Sequence, residues 1–223
     1  MTSRRIVVLT MLLAGIAAAG NGREAVGAAQ AATPARGVID AGAEWQGEQM
    51  ISWVEVEVAA TPEQAFAVLT DYDRMAEFLP GMVHSRLLAR DGAKVIVEQR
   101  VEETVLFFRQ RLDVRLAIVE TPPRHLTLRA LSGSFRSLDG SYELAPVVAL
   151  AGGTRGAAPV AADGQAAPLT RIEYRSRFVP DFDLPQMLGP YVVKRSLERH
   201  FAALKKEIDR RAAAARPPKQ PGS

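Results

Sequence analysis

From Val105 to Val119 the even positions Leu106, Phe108, Leu112, Val114, Leu116 and Ile118 are apolar, while Arg109, Arg111, Asp113 and Arg115 between them are charged. A side-chain period of two marks an extended chain with one dry and one wet face. The pattern recurs with Val95, Val97 and Val101 against Glu98 and Arg100, and again with Ile172, Tyr174 and Phe178 against Arg171, Glu173, Arg175 and Arg177. Strands that are apolar on one face only belong to an antiparallel sheet wetted on the other face, so the chain must supply a cover for the dry side. One cover is legible near the C-terminus. There Val193, Leu197, Phe201, Leu204 and Ile208 recur at three- and four-residue spacing, with Lys194, Arg195, Glu198, Lys205 and Lys206 opposite. This is an amphipathic helix, expected to start at Pro185 or Pro190 and to end near Ala214.

The remaining elements follow from local signals. Trp53 to Val58 alternates as a strand, and Thr61-Pro62-Glu63-Gln64 reads as an N-cap, a proline at the first helical position and a glutamine at the third, opening a helix through Phe66, Val68 and Leu69. A second short helix is expected from about Asp73 to Phe78. It stops at Leu79-Pro80-Gly81, because proline cannot continue a helix and forces its predecessor towards extended geometry. Five or six strands follow in succession. The expected fold is α+β: a curved antiparallel sheet wrapped around a long C-terminal helix, with two short helices after the first strand.

Composition, at 48% hydrophobic and 24% charged over 223 residues, is that of a globular chain with a substantial core. Cysteine is absent, which removes disulfides, thiolate metal sites and a cysteine nucleophile. Arg4 and Arg5 precede the apolar run Ile6 to Ile16, and Ala17-Ala18-Ala19 offers small residues for cleavage, so residues 1–19 read as a secretory signal with a second possible cut as late as Ala31. The apolar stretch is shorter than the roughly 20 residues needed to span a bilayer. Removing Arg4 and Arg5 from 28 basic residues leaves 26 against 25 acidic ones, too little excess charge for nucleic-acid binding. Residues 20–44 read as a disordered leader, 45–214 as the folded domain, 146–169 as a flexible loop and 215–223 as a disordered tail. The expected location is the periplasm.

Residues 54 to 88, "VEVAATPEQAFAVLTDYDRMAEFLPGMVHSRLL", resemble the opening of the START-like (Bet v 1-like, helix-grip) superfamily, in its polyketide cyclase/dehydrase and coenzyme-Q-binding START branch. The matching positions are Pro62, Glu63, Phe66, Asp71, Phe78, Leu79 and Pro80. A second stretch, "GSFRSLDGSYELAP", resembles the same branch through Gly133, Phe135, Leu138, Gly140, Tyr142 and Leu144. The resemblance implies a helix-grip fold with a hydrophobic tunnel between the concave sheet and the closing helix, gated by the loop after the first helices. It further implies an apolar ligand such as a lipid, isoprenoid, quinone, polyketide or steroid.

No catalytic or metal-binding motif stands in the sequence: His84, His125 and His200 are scattered, and no cofactor fingerprint is present. The anomaly lies on the dry face. With a hairpin turn at Glu103-Thr104, Gln99 falls opposite Phe108 and diagonal to Gln110, so two amides interrupt apolar positions. They either orient the polar end of a ligand or bond each other near the wet end of the sheet. The candidate cavity residues are Gln99, Phe108, Gln110, Tyr174, Leu188, Tyr191 and Val192, and the candidate gate is Phe78, Leu79, Pro80 and Met82. The leading expectation is an exported monomeric carrier of a hydrophobic small molecule or lipid, without a cofactor and with transient membrane contact. Two rivals are a cyclase or dehydratase working through Glu98, His84 or Tyr174, and an interaction module whose cavity is closed core.

Overall fold

The computed structural model describes residues 38–105, 108–147 and 168–216. Eight strands form one antiparallel sheet: β1 (Asp40–Gln46), β2 (Gln49–Val58), β3 (Met82–Asp91), β4 (Lys94–Val105), β5 (Phe108–Thr121), β6 (His125–Gly133), β7 (Phe135–Pro146) and β8 (Thr170–Pro180). Their lateral order is β1-β2-β8-β7-β6-β5-β4-β3. Helix α1 (Pro62–Leu69) follows β2. A single 3₁₀ turn, Tyr72–Arg74, leads into the one-turn α2 (Met75–Phe78), and α3 (Gly189–Ala214) closes the chain. The curved sheet carries the long helix on its concave face, as the strand and helix periodicities require. Among the described residues no helix is long and apolar enough to cross a membrane.

The local signals act as read. Thr61 Oγ1 accepts from the Gln64 backbone N–H at 3.3 Å, and Gln64 Oε1 accepts from the Thr61 N–H at 3.0 Å, so the start of α1 is capped from both sides. The break after α2 is equally specific. Leu79 is extended (φ −92°, ψ 122°), and Gly81 takes φ +78° with its carbonyl accepting from Glu102 N–H at 2.8 Å. A Cβ at Gly81 would stand 2.9 Å from the Glu102 carbonyl oxygen, so the turn admits only glycine against β4.

Two expectations change. The strand β1 lies in what composition marks as leader, because its small residues Ala41 and Gly42 pack rather than dangle: the Trp53 ring of β2 lies on Gly42, where a Cβ would fall 2.0 Å from Cζ2. The β4–β5 hairpin does not turn at Glu103-Thr104. It pairs Val105 with Phe108 and Glu103 with Gln110, so Gln99 opposes Val114 rather than Phe108. Charge explains the choice. This register sets Glu98 opposite Arg115, Arg100 opposite Asp113 and Glu102 opposite Arg111. Arg100 Nε meets Asp113 Oδ1 at 2.6 Å and Arg115 meets Glu98 Oε1 at 3.0 Å. Arg100, Arg115 and, between β8 and β2, Arg171 with Glu57 thus make cross-strand ion pairs, while Arg111 and Arg175 pair within their own strands. The signal segment, leader residues 20–37, loop residues 148–167 and tail residues from 217 lie outside the described residues.

The core sits under α1 and the second half of α3. Val54, Val56, Val58, Val95, Val97, Leu116, Ile118, Leu126, Leu144 and Ile172 point inward from the sheet and meet Phe66, Val68 and Leu69 of α1 and Phe201, Leu204, Ile208 and Ala212 of α3. The first half of α3 contributes nothing comparable. Val192, Val193 and Leu197 keep part of their surface accessible, and so do the inward-facing Val101, Val114, Leu138, Tyr142 and Tyr174 of the sheet. Along its axis, about 39 Å for 26 residues, the helix changes from a packed element to one that stands off the sheet.

Candidate functional site

The space left under the first half of α3 is a cavity of about 460 Å³. Its sheet wall is Leu112 of β5, Phe135 and Leu138 of β7, Tyr174, Ser176 and Phe178 of β8, and Ser52 of β2. Its roof is Tyr191, Val192, Val193, Ser196 and Leu197 of α3, and Phe182 and Leu184 of the connector into the helix close one side. The helix packs closely on β1 and β2 and not on β4–β7, which leaves space between α3 and that part of the sheet. Glycine helps at the hinge: a Cβ on Gly189 would press on Leu184, Met50 and Trp45 at 3.1 to 3.2 Å, and Trp45 Nε1 donates to the Gln186 carbonyl at 3.0 Å. The connector is therefore pinned, and α3 starts at a fixed height above the sheet.

The wall is aromatic. Phe135 meets Phe178 edge-on at 5.5 Å between centroids and Phe182 edge-on at 6.1 Å, the geometry that ring quadrupoles favour. Tyr174 meets Tyr142 at 4.7 Å and Phe201 at 5.5 Å, both with tilted rings, and Tyr142 and Phe201 stack at 6.1 Å, so the three rings form one cluster. Phe135 enters the cavity because the chain bends sharply at Gly133, where φ is +122° and a Cβ would fall 2.0 Å from the Asp113 carbonyl oxygen. Burial raises the Tyr174 phenol above its ordinary value, the Ser176 hydroxyl offsetting part of this, and burial pushes Tyr142 well up as well. Both are neutral hydroxyls at physiological pH.

The rim is polar and self-satisfied. Glu103, on the inward face of β4 two residues before its end, accepts from Ser196 Oγ at 2.9 Å and is ion-paired with Arg199, so it straps the hairpin to α3 beside the cavity. Arg195 donates to Glu198 at 2.9 Å. His200, one residue beyond the strap, is driven down to about 4 by burial, with Glu103 opposing the shift. Tyr191 stands 62% exposed at the outer edge. Among the described residues no group of three histidine and carboxylate side chains is placed to hold a metal.

Of the residues expected from sequence, Gln110, Tyr174, Tyr191 and Val192 line the cavity. Gln99 does not. Its Nε2 contacts Met75 Sδ at 3.2 Å and Ser85 Oγ at 3.3 Å, so it is a satisfied amide beneath α2, far along β4 from Gln110. Gln110 itself donates to the Arg111 carbonyl at 3.1 Å. Leu188 is the exposed N-cap of α3 and lies outside the lining, and the Phe108 side chain lies outside the described residues. None of Phe78, Leu79, Pro80 and Met82 lines the cavity: Leu79 and Met82 are core, Pro80 is exposed, and Phe78 lies 5.4 Å under the Arg211 guanidinium. The turn they form backs onto Glu103 from outside, with Glu103 Oε1 3.4 Å from where a Gly81 Cβ would be. Sequence reasoning missed Ser52, Ser176, Glu103, Phe135 and Phe182. Strand parity could have found the two serines, since Ser52 shares its face with Val54 and Val56, and Ser176 with Ile172 and Phe178. Glu103 was hidden by placing the turn on it.

Among curated protein sequences, none matches the chain. Solved structures match in fold at low identity. A STAR-related lipid transfer protein from Xanthomonas axonopodis is 15% identical with a TM-score of 0.59, covering 79% of this chain and 96% of that one. The Zhui aromatase/cyclase from Streptomyces is 17% identical with a TM-score of 0.57, covering 75% and 98%. A START superfamily protein from Mycobacterium smegmatis is 14% identical with a TM-score of 0.52, covering 74% and 99%. A family model described as polyketide cyclase / dehydrase and lipid transport matches residues 58–205, from the end of β2 into the second half of α3, which takes in the cavity lining apart from Ser52. The helix-grip architecture, the cavity under α3 and that match agree, and the chain belongs to the polyketide cyclase/dehydrase and lipid transport family.

Proposed function

We propose that this protein is an exported, non-enzymatic carrier that holds a hydrophobic small molecule, of the lipid, isoprenoid or quinone kind, between the sheet and the first half of α3. The observation that carries the reading is the cavity of about 460 Å³ with an apolar, aromatic wall, within the roughly 300–1,000 Å³ range of small-molecule sites. Binding would come from removing apolar ligand surface from water, worth about 25 cal/mol per Å² before ordering costs. The rim supports a binding rather than a catalytic role: Glu103 is held by Ser196 and Arg199, and Arg195 by Glu198. Each charged side chain of the described lining is thus paired, which suits holding a molecule better than moving a proton on it. Arg4, Arg5 and the apolar run behind them support export to the periplasm. The test is native mass spectrometry of the purified mature chain, followed by organic extraction. An apolar compound bound one to one, and displaced by members of a lipid and quinone panel, is the expected result. A mass equal to the bare chain with no binding from the panel overturns the proposal.

A further inference from the structure

Aromatic rings close the inner end of the cavity. Along α3, Tyr191 stands at the outer edge and Leu197 lines the cavity, while Phe201, one turn further, is 1% exposed and lies outside the lining. After Gly189 it is the next buried residue of the helix. Its ring meets Tyr174 of the cavity wall at 5.5 Å and stacks on Tyr142 at 6.1 Å. Beyond the three rings the fold is packed core: Leu204 and Ile208 of α3 share one cluster with Val54, Leu144 and Ile172 of the sheet, each at most 3% exposed. The space under α3 is therefore blind, and Phe201 stands where a through-tunnel would continue.

A blind space has a fixed capacity. A water molecule's share of liquid volume is about 30 Å³, close to that of a methylene, so the cavity of about 460 Å³ accommodates on the order of 15 ligand atoms other than hydrogen. A two-chain lipid carries far more. The wall that receives those atoms is built largely from the rings of Phe135, Tyr174, Phe178 and Phe182, which offer flat apolar surface. We infer that Phe201 is a specificity-determining residue that fixes the inner limit of the site, and that the ligand is a compact apolar molecule, a small ring system or a ring with one short chain, rather than a two-chain lipid. This deepens the carrier reading and rests on the cavity being the ligand site.

A series of acylnaphthalenes, lengthened one carbon at a time from acetyl to decanoyl, tests it by binding titration on the full mature chain. In wild type each carbon that still fits strengthens binding by about fourfold. The gain stops near the butanoyl to hexanoyl members, where the cavity is full. Phe201→Ala removes the ring, and because such a site collapses only in part, the break moves to members longer by about two to four carbons. Leu204→Ala opens its hole deeper in the core, beyond Phe201, and leaves the break where wild type has it. Affinity that climbs unbroken to decanoyl in wild type, an unmoved break in Phe201→Ala, or an equal shift in Leu204→Ala would overturn the inference while leaving the cavity as a binding site. If no member binds wild type, the carrier reading falls and the inference with it. Should Phe201→Ala fail to fold, Phe201→Leu, which keeps the position apolar and frees less space, moves the break the same way by a smaller step, and an unmoved break there overturns the inference.

Discussion

Leu197 and Leu204 occupy the same face of α3 two turns apart, yet the structure assigns them to different surroundings. Leu204 is 3% exposed in the core, while Leu197 is only partly buried and lines the cavity. Leu204→Ala removes three carbons from a packed site and leaves a hole, costing about 3 kcal/mol within the usual 2–5 range. Leu197→Ala removes the same three carbons, worth about 0.8 kcal/mol each when fully buried, from a side chain that already faces a void. No new cavity term arises, and the cost falls to about 1 kcal/mol. For a domain of this size each kcal/mol moves Tm by roughly 2–4 °C, so the two variants should differ by about 4–8 °C in a calorimetric or circular-dichroism melt of ligand-free protein. Urea titration should give the same order with unchanged m-values. Equal losses would mean that α3 packs uniformly on the sheet, and the reasoning that separates its two halves would be wrong.

Other expectations follow from the same geometry. His200 titrates near 4 in the folded protein against an ordinary 6.5, so the unfolded chain binds more protons below pH 6.5 and stability falls as pH drops from 6.5 towards 4. Between pH 7 and 5 the loss is about 2 kcal/mol, and His200→Leu should remove that limb of the stability profile; an unchanged limb in the variant refutes the assignment. Glu207 is held at about 2, first by its hydrogen bond to Arg210 and then by Arg211, so its contribution disappears separately, as pH falls from 4.5 to 2. Glu103→Gln cuts the strap to Arg199 and Ser196. About 1 kcal/mol of stability should be lost, and a bound probe should leave faster in stopped-flow displacement; an unaltered off-rate argues that the strap does not border the exit. Gly133→Ala should cost more than 2 kcal/mol by chemical denaturation, since a Cβ there meets the Asp113 carbonyl oxygen at 2.0 Å at a backbone angle few L residues adopt.

The fold was legible because its signals are periodic and redundant. Three strands and one helix each repeat their apolar spacing several times over, and the Thr61 cap and the Pro80 break punctuate them. What escaped was set by pairing over distance. The hairpin register rests on three cross-strand charge pairs, Glu98 with Arg115, Arg100 with Asp113 and Glu102 with Arg111, and a turn placed six positions out of pairing keeps the same faces while moving Gln99 away from Gln110. The β1 strand looked like leader because its small residues signal disorder unless a neighbour such as Trp53 packs on Gly42. The cavity could not be read from α3, whose apolar spacing is the same where it packs and where it stands off. Its lining side chains were visible only as inward positions, and those give no measure of empty space.

The central claim is that the space between the first half of α3 and the sheet is where an apolar molecule binds. Backbone and methyl chemical-shift mapping during titration with acetylnaphthalene tests this most directly. The account predicts perturbations concentrated on Leu112, Leu138, Tyr174, Ser176, Val193 and Leu197. Perturbations confined to the outer-face patch around Ile96, Val119 and Leu131, or none at saturating probe, would contradict it.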